Sequence, residues 1–366
     1  MRISTFKNIV LSALFLSVFS LGFAKDAKEG GDDEKFDPKE MIMHHVKDAY
    51  GMHIFTLNEG KENERHFTIP LPVILWTDNG LTTFMSSEFH HDYDGKVIVE
   101  NNGGRFVNVH EKIYQLNTGE SIVAYDADHH PTNANMPLDF SITRNVFMMW
   151  VSIAILLLIF LSAARRYKKS ENYLPSGIAS FVEPLIIFVR DEIAKPMIGE
   201  HKYKKYMPFL LTVFFFIWIN NIFGLIPIFN GANVSGNIAF TFTLAIFTFI
   251  ITTFSGNKNY WRHIFWMPGV PVPMKIFLIP IELIGMLVKP MSLMIRLFAN
   301  ITAGHIIILA LMSLIFIFKT TWVSPVSVGF SLFIGIIEIV VTAIQAYIFT
   351  VLSALYFGMA TEEEHH

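Results

Sequence analysis

The stretch Lys289-Pro-Met-Ser-Leu-Met-Ile-Arg-Leu-Phe-Ala-Asn-Ile-Thr-Ala-Gly-His305 sets an arginine, Arg296, and a histidine, His305, inside a long apolar run. From about Ile276 to Phe318 nearly every other residue is Ile, Leu, Met, Phe or Ala, so Arg296 cannot simply snorkel to water from a helix end. An ionisable group at a bilayer centre costs at least about 2.5 to 3.5 kcal/mol and marks a functional site by default. The fold class is therefore that of an all-α polytopic membrane protein in this part of the chain.

The segment around it is a pair of long apolar helices, Lys275 to Lys319 and Pro325 to Met359, joined by Thr320 to Ser324. At about 1.5 Å per residue the first would measure about 66 Å against about 30 Å of hydrocarbon, so it must be strongly tilted or broken. Pro280, Gly285 and Pro290 are available to bend it. Counting from a turn centred at Thr321, His305 falls sixteen residues before and Glu338 seventeen after, Arg296 twenty-five before and Gln345 twenty-four after. An antiparallel hairpin would thus carry two matched polar layers, about 10 to 14 Å apart. Glu282, Lys289 and Arg296 recur every seventh residue on one stripe, as do Glu338 and Gln345 on the other helix. The plainer reading is that such groups only join the two helices, which suits Asn300 and Gln345. A permanently charged arginine is costly for that purpose. His305 and Glu338 can exchange protons if burial and proximity tune them, whereas Arg296 keeps its proton.

Upstream, the spans alternate. Val146 to Ala164 is followed by Arg165-Arg-Tyr-Lys-Lys169, which makes that end cytoplasmic by the positive-inside rule. Spans at about 209–226 and 238–254 follow, and Asn221 lies in the first of these. Between the first two, the amphipathic segment at about 178–195 is expected to lie along the membrane interface or against a soluble partner.

The N-terminal part has a different texture. Met1 to Ala24 reads as a cleaved signal peptide, with Arg2 and Lys7 ahead of an apolar block too short to span. A disordered or partly ordered leader, 25–50, precedes a small exported β-rich domain, 51–140. There the run His66 to Trp76, then Thr77-Asp-Asn-Gly80 and Leu81 to Met85, signals a hairpin whose first strand is demoted to an edge by Pro70 and Pro72. A second hairpin is expected from Lys96–Glu100 and Arg105–Val109 around Asn101-Asn-Gly-Gly104. Nine of the 14 histidines fall in this part, including the adjacent pairs His44-His45, His90-His91 and His129-His130. Adjacent pairs lack the spacing that aims two imidazoles at one ion, so no metal site is expected.

Composition agrees with this division. Of 366 residues 52% are apolar, above the roughly 45 to 50% of soluble domains, and a net charge of -3 argues against a nucleic-acid partner. With no cysteine, disulfides and thiolate metal sites are excluded, and no cofactor is expected.

The pattern Lys289-Pro-x-Ser292-x-x-x-Arg296-Leu-Phe-x-Asn300-x-x-Ala-Gly304, with Ile344-Gln-Ala-Tyr-Ile-Phe349, resembles the a subunit of the F-type ATP synthase membrane sector, over about Ser141 to Glu364. The resemblance implies a stator subunit in a bacterial inner membrane, with an exported N-terminus and a cytoplasmic C-terminus. Its partners would be a rotating c-subunit ring, b-type peripheral stalk subunits, other subunits of the sector and membrane lipid. Arg296 would face the ring's ion-binding carboxylate and separate two proton half-channels, supported by Gln345 and Asn300, with Ser292, Glu282 and Asn221 as further candidates. Two departures stand out: His305 and Glu338 exchange the acid and imidazole of the familiar bacterial version, and Gly224 replaces an aspartate. No G-x-x-x-x-G-K-[ST] loop is present, so ATP chemistry would belong to other subunits. A stand-alone proton-coupled secondary transporter or channel is the alternative, although no internal repeat supports it. A membrane-tethered binding domain is a third reading, which Arg296 opposes.

Overall fold

The computed structural model describes residues 42, 46–57, 65–117, 119–120, 122–126, 131–169, 177–226, 233–267, 269–318, 320 and 322–362. The expected signal, Met1 to Ala24, and most of the leader lie outside them. The described residues form two compact units, one within 1–147, 224–226 and 304–336, the other within 148–223, 233–303 and 337–362.

Among its described residues the first unit has nine short strands: β1 (Gly51–Leu57), β2 (Arg65–Pro70), β3 (Pro72–Thr77), β4 (Gly80–Met85), β5 (Val99–Asn101), β6 (Gly104–Val109), β7 (Lys112–Leu116), β8 (Ala134–Asn135) and β9 (Leu138–Asp139). They pair as β1-β2, β4-β3-β9 and β5-β6-β7-β8. The run expected as one edge strand is two strands in different sheets, and β3 is central rather than peripheral. Pro72 explains the break: without an N–H it cannot continue the ladder of β2, but it can open β3 at its first position. Leu71, at the break, donates its N–H to Ser86 Oγ at 3.0 Å and accepts from Ser86 N at 3.0 Å.

Both expected hairpins form. Thr77 faces Gly80 across Asp78-Asn79, and Asn101 faces Gly104 across Asn102-Gly103. Asn102 and Gly103 take φ of 47° and 74°, the double left-handed turn that suits the strand twist. A third hairpin, β6–β7, turns on His110 and Glu111 at φ 52° and 63°. Alternation buries Val73, Leu75 and Phe84, and Phe84 meets Phe89 and Phe106, each at 5.5 Å.

The helices are α1 (Arg144–Lys169), α2 (Ile178–Phe188), α3 (Lys195–Ile198), α4 (Tyr203–Leu225), α5 (Ile238–Ser255), α6 (Lys258–Phe265), α7 (Val272–Phe318) and α8 (Val323–Thr361). Among the described residues five are long and apolar enough to cross a membrane, those at Arg144–Arg165, Tyr203–Leu225, Ile238–Ser255, Val272–Phe318 and Val323–Thr361. α7 is unbroken over 47 residues with Pro280 and Pro290 inside it, which removes the broken-helix option. α6 has no counterpart among the expected elements; Asn257 caps it by accepting from Tyr260 N at 2.8 Å.

Within the second unit, the segment expected at the interface runs through α2, a π-helical stretch Val189–Ala194 and α3. Its apolar face is not free for lipid or a soluble partner along most of its length. Val182, Val189, Ile193 and Ile198 belong to one buried core with Tyr206 and Leu210 of α4 and Ala354 and Phe357 of α8. Phe181, Ile187 and Phe188 stay exposed. On the polar side Asp191 receives Arg190 at 2.7 Å and Lys195 at 2.8 Å. The C-terminal end of α8 is seated here: Tyr206 stacks on Phe357 at 4.9 Å and Lys202 Nζ donates to the Thr361 carbonyl at 2.7 Å. Gly358 comes so close that a Cβ there would lie 1.9 Å from the Met197 carbonyl oxygen.

Hydroxyls inside the apolar helices bond to their own backbone. Thr248 and Thr252 donate to Leu244 and Thr248 carbonyls at 3.2 and 2.8 Å, and Thr350 and Ser353 do the same on α8. This satisfies them where no water is available.

Candidate functional site

In the second unit, Glu282, Lys289, Ser292 and Arg296 on α7 are all half-buried, in keeping with one stripe at seven-residue spacing. Asn300, one turn past Arg296, is exposed. α8 differs: Glu338, Thr342 and Gln345 are closed off at 3%, 1% and 5% exposure. Glu282, Lys289, Ser292, Arg296 and Asn300 of α7 thus keep some exposure, while Glu338, Thr342 and Gln345 of α8 are buried.

Tyr356 of α8 lies within electrostatic reach of Arg296. Among the described residues no carboxylate pairs with it and no hydrogen bond joins it to Gln345. Equal depth on two helices does not fix the rotation about either axis, so the turn count alone could not pair their side chains. Toward the start of α7, Lys289 lies over the Tyr356 ring at 5.7 Å, and Lys275 lies over Trp266 at 4.3 Å while 8% exposed. Such contacts hold ammonium groups against aromatic faces where water is scarce. A small cleft is lined by Lys289, Tyr356, Tyr260, Thr248 and Thr252.

Asn220 and Asn221, adjacent on α4, are both buried, at 1% and 3% exposure. Asn220 donates to the Phe216 carbonyl at 2.7 Å and accepts from Ser152 Oγ at 3.1 Å. Neither polar atom of the Asn221 side chain has a hydrogen-bond partner among the described residues, a costly state for a buried amide. Thr248 and Ser353 hydroxyls meet at 3.3 Å in the same unit. The Ser152 and Thr248 partnerships were not read from the sequence. The signal was there: Thr241, Thr248 and Thr252 share one face of an otherwise Phe- and Ile-rich helix.

In the first unit, His305 Nε2 meets the Gly224 carbonyl oxygen at 3.2 Å. A carbonyl only accepts, so this nitrogen carries the proton donated in that bond. The two departures from the family pattern therefore touch. The Ser327 hydroxyl also donates to the Leu311 carbonyl there.

A buried arginine in the first unit was not picked out from the sequence. Arg144, the first residue of α1, is 4% exposed; its Nη2 donates to the Lys47 carbonyl at 2.8 Å and its N–H to the Ala49 carbonyl at 2.8 Å. Asp48 Oδ1 caps the same helix end by accepting from Asn145 N at 3.0 Å. Glu111 faces this group, and burial pushes its carboxyl up to about 7, Arg144 pulling it down and Asp48 pushing it up. Burial likewise raises Asp48, against the pull of Thr143, Asn145 and Arg144. The available signal was a lone basic residue at the expected exported mouth of a span, where the positive-inside rule disfavours one. Among the described residues no three His, Cys, Asp or Glu side chains converge as a metal site would require.

Comparison with known proteins agrees with the long-helix pattern. The family profile described as ATP synthase A chain matches residues 146–358, and a domain of unknown function (DUF8433) matches residues 41–140. ATP synthase subunit a of Chloroherpeton thalassium is 49% identical over 234 residues, covering 62% of this chain and 69% of that protein. ATP synthase subunit a 2 of Prosthecochloris aestuarii is 46% identical over 259 residues, covering 69% and 78%. The subunit a of an Anaeromyxobacter species is 37% identical over 294 residues, covering 76% and 70%. With the profile spanning more than half of the chain, over the helices that carry Arg296, Asn300, Glu338 and Gln345, this multi-pass membrane protein belongs to the ATP synthase A chain family.

Proposed function

We propose that the chain is the stator subunit a of a rotary F-type ATP synthase and forms two proton half-channels against the c-subunit ring, coupling proton flow to rotation and ATP synthesis. The observation that carries the mechanism is Arg296, a fixed cation in an apolar helix, half-open to the outside and without an ion pair among the described residues. Such a group suits a carboxylate brought past it by another subunit. The guanidinium attracts the carboxylate in its ionised form and never carries the proton onward, so it separates the two half-channels. Asn300, exposed on the same side, and Ser292 would contact the ring, while Gln345 stiffens the helix behind.

The access path on the exported side would use Asn221, His305 and Glu338, one buried amide and an acid–imidazole pair at one depth. The exit path would follow Glu282 and Lys289 toward the cytoplasmic end. The cleft beside Lys289 and the buried Thr248 and Thr252 support a polar route there. α7 and α8 would form a tilted antiparallel hairpin; the Lys289–Tyr356 and Leu311–Ser327 contacts support that pairing. b-type stalk subunits and membrane lipid complete the surroundings in a bacterial inner membrane. A signal at 1–24 is removed, the β-rich domain at 51–140 is exported, and the C-terminus is cytoplasmic. A stand-alone transporter is not favoured, because the relatives are subunits of a synthase.

Cross-linking tests the ring contact. The chain has no cysteine, so Asn300→Cys provides a single thiol. It should cross-link to a cysteine in the outer helix of the c subunit and not to the b subunit. An active complex with no c cross-link from this position refutes the assignment. For the access path, His305→Glu with Glu338→His should retain proton-driven synthesis better than either single change. A double variant no better than the singles removes the paired layer.

A further inference from the structure

The three-stranded sheet β4-β3-β9 has one closed face and one open face. Val73, Leu75, Thr77, Thr82 and Phe84 fill the closed side and are buried. Residues directly opposite in an antiparallel ladder project to the same side, so the register defines the open side as well. Trp76 stands between Leu81 on β4 and Leu138 on β9. In the next row Ile74 faces Thr83, and Phe140 N donates to the Ile74 carbonyl at 2.9 Å. In the third, Pro72 faces Met85, and Ile142 N donates to the Pro72 carbonyl at 3.1 Å. Thr83 is the only polar side chain in these rows and none is charged. Trp76, Leu81, Leu138 and Phe140 are 56%, 56%, 65% and 63% exposed, far more than a soluble surface usually concentrates in one patch.

The last row gives the face its position. Ile142 is two residues before Arg144, where the apolar span Arg144–Arg165 begins. The first turn of that span is bonded into the same unit, through Arg144 N to Ala49 O at 2.8 Å and Arg144 Nη2 to Lys47 O at 2.8 Å. The open face therefore starts where a lipid-embedded helix starts and extends over two more rows, roughly 14 Å at about 3.4 Å per residue. A recognition surface for a protein carries polar and charged groups at its rim and hydrogen bonds across it. An uncharged face bearing Trp and Phe, joined directly to a span, matches the headgroup level of a bilayer instead.

We propose that the open face of β4-β3-β9 rests in the boundary between lipid headgroups and acyl chains of the leaflet from which α1 emerges, so that the N-terminal domain is itself a membrane-surface binding module. Its occupant is lipid. The interaction is independent of the half-channel assignment.

The test uses nitroxide labels on Leu81→Cys and Leu138→Cys in the full-length chain. Each is assembled with cysteine-free partner subunits in vesicles of phosphatidylcholine and phosphatidylglycerol. Collision rates with oxygen, which concentrates in lipid, and with a water-soluble nickel chelate are compared with those of Glu120→Cys on an exposed polar loop. Both sheet labels should favour oxygen severalfold over the Glu120→Cys label and report a depth of about 5–10 Å. Nickel access equal to that of Glu120→Cys at either position overturns the proposal, because the face then stands in water. Shielding from both reagents also overturns it, because another protein segment then covers the sheet.

Discussion

Arg144 and Arg296 are both arginines in long apolar helices, and the chain treats them differently. Arg144 is 4% exposed, donates to the Lys47 carbonyl, and has Asp48 and Glu111 as its charged neighbours. Arg296 is half-buried within reach of Tyr356, with no ion pair among the described residues. A buried cation surrounded by its own carboxylates is part of a fold, because removing it leaves those carboxylates uncompensated. Under the proposed mechanism, a cation left without one is poised for a charge that another subunit brings. Burial alone would rank Arg144 as the more important; the partners reverse that order for function.

The contrast can be broken most directly at Arg296. Arg296→Ala should abolish proton-driven ATP synthesis while the chain still inserts and assembles; near-normal synthesis by an assembled variant would remove the mechanism. Arg144→Ala should act in the opposite way. Leaving Asp48 and Glu111 buried without their cation should destabilise the first unit by about 3–5 kcal/mol, read as loss of assembled protein, while the complexes that do assemble keep their coupling. Loss of coupling with full assembly would give Arg144 a functional role and collapse the distinction.

The smallest effect sharpens the Arg144 side. Glu111 has its carboxyl raised by burial from 4.5 to about 7. Its contribution to stability is therefore complete below about pH 4.5 and is lost as pH rises through about 7, by at most about 3 kcal/mol. Amide exchange in Gly104–Val109 and Lys112–Leu116, corrected for intrinsic rates, should show protection falling from pH 5 to pH 8. Glu111→Gln should remove most of that fall, leaving the part due to Asp48, which burial raises in the same direction. Equal wild-type protection at both ends of the range would mean that Glu111 ionises freely.

Sequence legibility followed the range of the forces involved. Hydropathy over eighteen or more residues gives the spans because the bilayer acts on each helix separately. Asn102-Gly103 announces its turn because those residues adopt positive φ with little strain; His110-Glu111 makes a turn with the same signs of φ and carries no such mark. Arg296 was legible as a lone cation in an apolar field. The Arg144 group was not, since Lys47 is 97 residues away in the chain and contributes a carbonyl rather than a side chain. The His305 contact with Gly224 was hidden for the same reason, because a glycine carbonyl has no residue-type signal. The apolar stripe at 178–195 looked free because amphipathicity does not say which surface covers it, and here the chain covers most of it itself.

One contact bears on the mechanics of the assembly. At Gly358 the last helix meets the Met197 carbonyl backbone to backbone, with no side chain between them to rotate or compress. Cushions of flexible side chains yield under load, and in a stator such yielding would let part of each rotary step disappear into elastic deformation. With the two backbones this close, even an alanine at 358 would have to push them apart.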